Sequence, residues 1–435
     1  MDITTILNYG GKGDGVTDNT LAFSLAFASE NATVVVPAGV YLTGPITLLS
    51  NSTLILEKGA VLRFSNDESL YEPVWSRWEG VRTWCMHPCL YAEKAENVTV
   101  KGEGTIEGNG EAWWNHAREN KKNNARPTTP VELKFASLNP EYMSQPSGGG
   151  GRYSQYLRPS LVQFNNCRNV RIEGVTVQNS PFWTIHPVFC TGLEIIGIKI
   201  NNPSDSPNTD AIDIDSCKCV TIKDCDISVG DDGITLKSGT GEDGVAVGIP
   251  TSEVLVENCT VRSAHGGAVI GSETAAGINN VTVRDCNFIN TDRGIRIKTR
   301  RGRGGLIENL KFSNINVSGC LCPVAINMYY RCGAMEDWMF SLNKMPITEV
   351  TPCIRNIEIE NMKATECRSS AGFVVGLPEV PITNITMKDC DFQVGGELVS
   401  TDLSEMFNGL EHVEERGIRQ ENATLRLENV KVSLA

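Results

Sequence analysis

Four short clusters between Asn208 and Lys298 carry the residue types that chemistry on an acidic sugar polymer would need. In order they are Asn208-Thr209-Asp210, Gly230-Asp231-Asp232, His265-Gly266 and Arg296-Ile297-Lys298. Hydrolysis of a glycosidic bond takes one carboxylic acid to protonate the leaving oxygen and another carboxylate to activate water. Asp210, Asp231 and Asp232 are candidates for both tasks. Crowded like charges raise at least one pKa, which keeps a proton available near neutral pH. Arg296 and Lys298 stand two apart, so a fork and a point charge share one side of a strand and one anionic group could engage both. Taken singly, each cluster has a plainer explanation: Asn-Thr-Asp or Asp-Asp alone is usually a turn, and a lone His is more often structural. Their common register is what speaks for a site.

That register comes from a repeat. A unit ending in Asn/Asp-Cys returns as Val220-Thr221-Ile222-Lys223-Asp224-Cys225, Val254-Leu255-Val256-Glu257-Asn258-Cys259, Val281-Thr282-Val283-Arg284-Asp285-Cys286 and Ile385-Thr386-Met387-Lys388-Asp389-Cys390. Weaker copies include Val170-Arg171-Ile172, Leu193-Glu194-Ile195, Leu310-Lys311-Phe312, Ile357-Glu358-Ile359 and Leu425-Arg426-Leu427. With Ile172, Ile195, Ile222, Val256, Val283 and Phe312 as equivalent points, the period is roughly 23 to 34 residues, within the range of stacked-repeat folds. Alternation of apolar and polar residues marks half-buried strands. The expected fold is all-β, a single-domain right-handed parallel β-helix spanning 1–435, in which each coil covers its neighbour. The Asn/Asp-Cys pair would form ladders at one corner, the polar side chain bonding backbone and the Cys filling the interior.

Two stretches break the repeat, about 115–157 and 320–352, and are expected as long rim loops. The first is polar and irregular and contains Gln145-Pro146-Ser147 through Gly151, the strongest linker candidate; the second carries Tyr329, Tyr330 and Trp338. Apolar residues from Thr20 to Ser29, opened by Asp18-Asn19 as cap candidates, predict a short helix at about 18–30 that lids the core at the amino-terminal end.

The formal net charge of −13 argues against nucleic acid and anionic membranes as partners. Against that background the run Arg293, Arg296, Lys298, Arg300, Arg301 and Arg303 marks a site for an anionic ligand. No apolar run approaches the length of a membrane span. Met1 to Tyr9 lack the features of a signal peptide, and the fifteen cysteines follow the coil repeat. A cytoplasmic protein is expected, or a secreted one should Met1 stand in for a removed signal. Oligomeric state is left open.

These motifs resemble those of glycoside hydrolase family 28, the polygalacturonases and their relatives. Gly11-Lys12-Gly13-Asp14-Gly15-Val16-Thr17-Asp18 and Val36-Pro37-Ala38-Gly39-Val40-Tyr41 are similar to the opening of many pectin-acting β-helices. The segment Tyr71 to Gly80 and the stretch His265 to Glu273 look more like bacterial, often exo-acting, members. The resemblance implies Asp231 as acid, Asp210 and Asp232 holding and deprotonating water, and inversion at the anomeric carbon, with acid and base about 6.5–9.5 Å apart. It implies that His265 assists the acid, that Arg296 and Lys298 grip a sugar carboxylate, and that Tyr330 contacts substrate, with Tyr329 leaving that register open. Asn208 fits orientation of the turn or water. No metal or other cofactor is implied.

Two departures stand out. Ala264 replaces the first glycine of Gly-His-Gly, and Gly233 stands where many members have Cys. The Arg-Lys pair favours galacturonan or oligogalacturonides over a rhamnogalacturonan backbone. The insertions and the bacterial likeness favour exo-action. A calcium-dependent pectate lyase and a noncatalytic carbohydrate-binding β-helix are the alternatives from other classes.

Overall fold

Interior columns of aliphatic side chains organise the chain. In the computed structural model, which describes residues 3–142, 150–334 and 336–434, those residues divide into two compact units. The first holds 3–78, 82–142 and 150–231; the second holds 79–81 and the described residues from 232 to 434. Both have parallel β-helix architecture, with short strands pairing in register with the equivalent strand of the next coil.

In the first unit Val98, Val170, Leu193 and Val220 pair in succession, as do Val100, Ile172, Ile195 and Ile222. All eight are at most 2% exposed. Burying such a side chain contributes about 1.5–3 kcal/mol, so a column of four outweighs any single surface contact. A second ribbon runs from Asp14–Asp18 to Asp226–Ser228. A third joins Ile46–Thr47, Leu90–Glu93 and Val162–Asn165.

The second unit repeats the design. Val254, Val281, Leu310, Ile357, Ile385 and Leu425 form one column; Val256, Val283, Phe312, Ile359, Met387 and Leu427 form the other. The strands of a further ribbon, Asp232–Lys237, Gly266–Gly271, Arg293–Lys298 and Cys322–Asn327, are buried along their whole length. They therefore do not alternate in burial as the repeat units do. Cys322–Asn327 thus continues this ribbon, and the second irregular stretch begins only after it.

The expected Asn/Asp-Cys corner carries a ladder whose partners are side chains instead of backbone, Asn314 Nδ2 donating to Asp285 Oδ1 at 2.9 Å and Asn361 Nδ2 to Asn314 Oδ1 at 2.8 Å. A second ladder runs through asparagines that directly precede the first column of apolar residues. Asn280, Asn309, Asn356 and Asn384 all have φ near +55°, a conformation that Asn tolerates better than most residues. Their side chains bond one another across coils: Asn309 Nδ2 to Asn280 Oδ1 at 3.4 Å, Asn356 to Asn309 at 3.1 Å and Asn384 to Asn356 at 2.8 Å. The cysteines of the Asn/Asp-Cys pairs are buried and donate to backbone, as Cys286 Sγ does to Arg284 O at 3.2 Å. None of the fifteen cysteines is in a disulfide in the structure.

The amino-terminal helix is shorter than expected, Thr20–Ala26, and buries Ala22, Phe23 and Ala26. Asp18 Oδ1 accepts from Thr20 N at 2.9 Å, while Asn19 turns back to Lys12, Thr17 and Leu42. The first insertion is not irregular throughout. It forms helices Glu111–Asn123 and Pro130–Leu138. The second helix starts on a capping box of Thr129 and Glu132 with Pro130 in its first turn, a signal present in the sequence. Residues 145–149 of the linker candidate lie outside the described residues.

Candidate active site

Asp210 and Asp231 come together in the first unit. Asp210 is 3% exposed, Asp231 is half-buried, and a carboxylate oxygen of each lies within 4.8 Å of the other. Asn208 sits at φ +57° and accepts from Arg158 Nη2 at 2.7 Å. Its side chain is tied into the turn.

Asp232, the next residue after Asp231, opens the buried ribbon of the second unit. There its carboxylate is an ion-pair hub. Arg296 Nη1 donates to Asp232 Oδ1 at 3.2 Å, and the Lys298 ammonium pairs with Oδ2. Burial pushes the Asp232 pKa up, but the charges of Lys298, Arg296 and Lys237 outweigh it and hold the group well below the usual carboxylate range. The like-charge crowding expected from the sequence therefore does not govern Asp232.

The register explains the arrangement. Arg296 pairs with Val269 and Lys298 with Gly271, while Asp232 pairs with Gly266. Gly266 is needed for close approach, since a Cβ there would stand 3.4 Å from Arg296 Cβ and Cδ and 2.6 Å from Val269 Cγ2. Gly233 has a similar reason: a Cβ would lie 2.8 Å from Val261 Cγ1 and 2.9 Å from the carbonyl oxygens of Gly266 and Gly267.

Tyr330 lies over both cations, its ring centre 5.5 Å from Arg296 Cζ and 5.2 Å from Lys298 Nζ. Tyr329 instead lies beside Arg301, at 5.8 Å. His265 is half exposed and its Nδ1 lies 2.7 Å from Asp292 Oδ2. Burial raises the Asp292 pKa, but His265 and Arg293 more than offset it and hold the group low. An anionic partner on Nδ1 favours the tautomer with its proton there.

Two partners escaped the sequence. Asp292 follows His265 by 27 residues, close to one period, and that spacing could have revealed it. Glu405 receives Arg296 Nε at 2.9 Å and Nη2 at 2.8 Å from 109 residues further along the chain, where no repeat announces it.

A parallel β-helix bearing clustered carboxylates and a buried cation pair defines the class of polysaccharide-acting solenoid enzymes. Residues 144–406 match the family model of glycosyl hydrolases family 28. A Vitis vinifera protein called "Probable polygalacturonase" is 32% identical over 399 residues, covering 88% of this chain and 73% of its own. The exopolygalacturonase of Thermotoga maritima is 30% identical with a TM-score of 0.82, covering 99% of this chain and 92% of its own. The polygalacturonase of Erwinia carotovora shares the fold, with a TM-score of 0.70 at 22% identity, over 97% of this chain and 96% of its own. The chain belongs to glycosyl hydrolases family 28 and is a glycoside hydrolase.

Proposed function

We propose that this enzyme hydrolyses α-1,4-linked galacturonic acid in galacturonan or oligogalacturonides, from chain ends and with inversion. The observation that carries the mechanism is the pairing of Asp232 with Arg296 and Lys298. A carboxylate held ionised by two cations cannot serve as the proton donor near neutral pH, whereas it can hold and deprotonate water. The acid role then goes to half-buried Asp231, with Asp210 as the second water-holding group. His265, steadied by Asp292, supports the acid, and Tyr330 contacts substrate.

Exo-action is supported by likeness to the T. maritima exopolygalacturonase over nearly the whole chain. Support for inversion comes from family resemblance and the ionised Asp232. The Asp210–Asp231 oxygen spacing of within 4.8 Å is shorter than the about 6.5–9.5 Å usual between acid and base at inverting sites, so the anomer formed is the decisive measurement.

Incubation with defined oligogalacturonides, followed for product length and reducing ends, tests the substrate and mode together. Monogalacturonate should accumulate from the first minutes, and proton NMR should show the inverted anomer first. A ladder of mid-length products with rapid loss of viscosity would establish endo-action. Initial retention of configuration would remove the water-attack assignment.

A further inference from the structure

The buried carboxylate of Glu405 sits in the second unit, on a segment that lies outside the strand repeat. The backbone around it is pinned on both sides. Arg293 donates from Nε to Ser404 O at 3.1 Å and from Nη2 to Leu403 O at 2.8 Å. Beyond Glu405, Asn327 Nδ2 donates to Met406 O at 3.1 Å, and Asn408 N to Tyr329 O at 3.2 Å. The Phe407 ring stacks on Phe373 at 5.6 Å between centres. With its backbone so placed, the Glu405 carboxylate closes on the Arg296 guanidinium by two bonds, 2.9 and 2.8 Å. Met406 N steadies it at 2.6 Å.

A guanidinium offers five N–H donors in a fixed plane. Glu405 takes those of the Nε–Nη2 edge and Asp232 accepts from Nη1. These bonds use three of the five donors, so the Nε–Nη2 fork is committed inside the protein, and Arg296 is 1% exposed. Lys298 has three donors and pairs with one carboxylate oxygen of Asp232.

Resting on the hydrolase reading above, we infer that Glu405 is a positioning residue: it clamps Arg296 onto Asp232, so that Arg296 serves the water-holding carboxylate. A freed Arg296 would rotate away from Asp232 and weaken the chemical step while gaining a fork for substrate.

The test compares Glu405→Gln, Arg296→Lys and the double variant on trigalacturonate. Glu405→Gln should lower kcat about tenfold or more with KM unchanged or lower, the pattern of an interaction used in the chemical step. The double variant should be no worse than the poorer single by more than about twofold, because both changes break one clamp. A raised KM with unchanged kcat would assign Arg296 to the substrate and overturn the inference, as would fully additive losses. A second readout needs no activity: in protein labelled with nitrogen-15 arginine, the Arg296 Nε–H signal, assigned by its loss in Arg296→Lys, should be protected from exchange and lose that protection in Glu405→Gln. Retained protection overturns the inference. If the amide variant does not fold, Glu405→Asp keeps the buried charge and should show the same pattern at smaller amplitude; unchanged kcat with lost protection would overturn the clamp. Absence of any galacturonate release by the wild type would defeat the functional reading, while the exchange measurement would still decide the role of Glu405.

Discussion

Arg296 bridges two buried carboxylates, donating to Asp232 at 3.2 Å from Nη1 and to Glu405 at 2.8 Å from Nη2. Arg296 is 1% exposed and Glu405 2%, so neither charge has water to fall back on. Breaking such a pair by removing one partner typically costs about 3–5 kcal/mol, because the other charge is left buried and alone. Positive charge at Arg296 and Lys298 therefore serves Asp232 before any ligand arrives.

Lys298→Met should lower kcat/KM by about 1–3 kcal/mol of transition-state binding. The acid limb of its pH profile should also move. Lys298 is the strongest of the charges that lower the Asp232 pKa, so its removal raises that pKa and shifts the limb to higher pH. An unmoved limb with a raised KM would confine Lys298 to substrate binding.

Asp231→Asn keeps the size of the side chain and removes its proton. Turnover should fall by about 10²–10⁴-fold, while oligogalacturonide binding, read by calorimetry, stays near wild type. Turnover within a few-fold of wild type would transfer the acid role to another residue.

Acid should unfold the protein through specific carboxylates. Burial pushes Glu405 up, but Arg296 and Arg293 hold it down to about 2, and in the first unit Glu132 is held to about 2 by the His116 hydrogen bond and backbone donors against its own burial. Both lie below the ordinary Glu value of 4.5. A depressed folded pKa contributes stability that is complete above the unfolded value and lost as pH falls towards the folded one. Denaturant midpoints should thus drop between about pH 4.5 and 2. Glu405→Gln should be less stable at pH 7 yet show a shallower acid slope; an identical slope would discount Glu405.

The corner ladder should be measurable at Asn314, which has φ +55°, donates to Asp285 Oδ1 at 2.9 Å and accepts from Asn361 at 2.8 Å. Asn314→Ala loses both bonds and strains the backbone, at a cost of about 1–2 kcal/mol. Asn314→Gly loses the bonds but not the backbone ease, so its melting temperature should lie between the two. A Gly variant less stable than the Ala variant would show that φ is not the issue.

Much of the fold was legible because its rule is local. Alternation in Val170-Arg171-Ile172 and Val281-Thr282-Val283 marks strands one residue at a time, and repetition sets the register that the structure shows. The insertion helix Pro130–Leu138 was equally readable from Thr129 and Glu132, but the surrounding polar composition concealed it. The site was legible as a set of residue types; the structure adds which of them neutralise one another.

The sequence by itself determined the coil repeat, the order of the four motifs and the chemistry their side chains can offer, since these depend on residue identity and spacing along a solenoid. Only the tertiary structure decided that Asp232 is held ionised by Arg296 and Lys298, that Tyr330 and not Tyr329 lies over those cations, and that Asp292 and Glu405 orient His265 and Arg296. Ion pairing and desolvation act through space at a few ångströms, and the segment bearing Glu405 returns to Arg296 outside the repeat, where no periodicity in the chain records the approach.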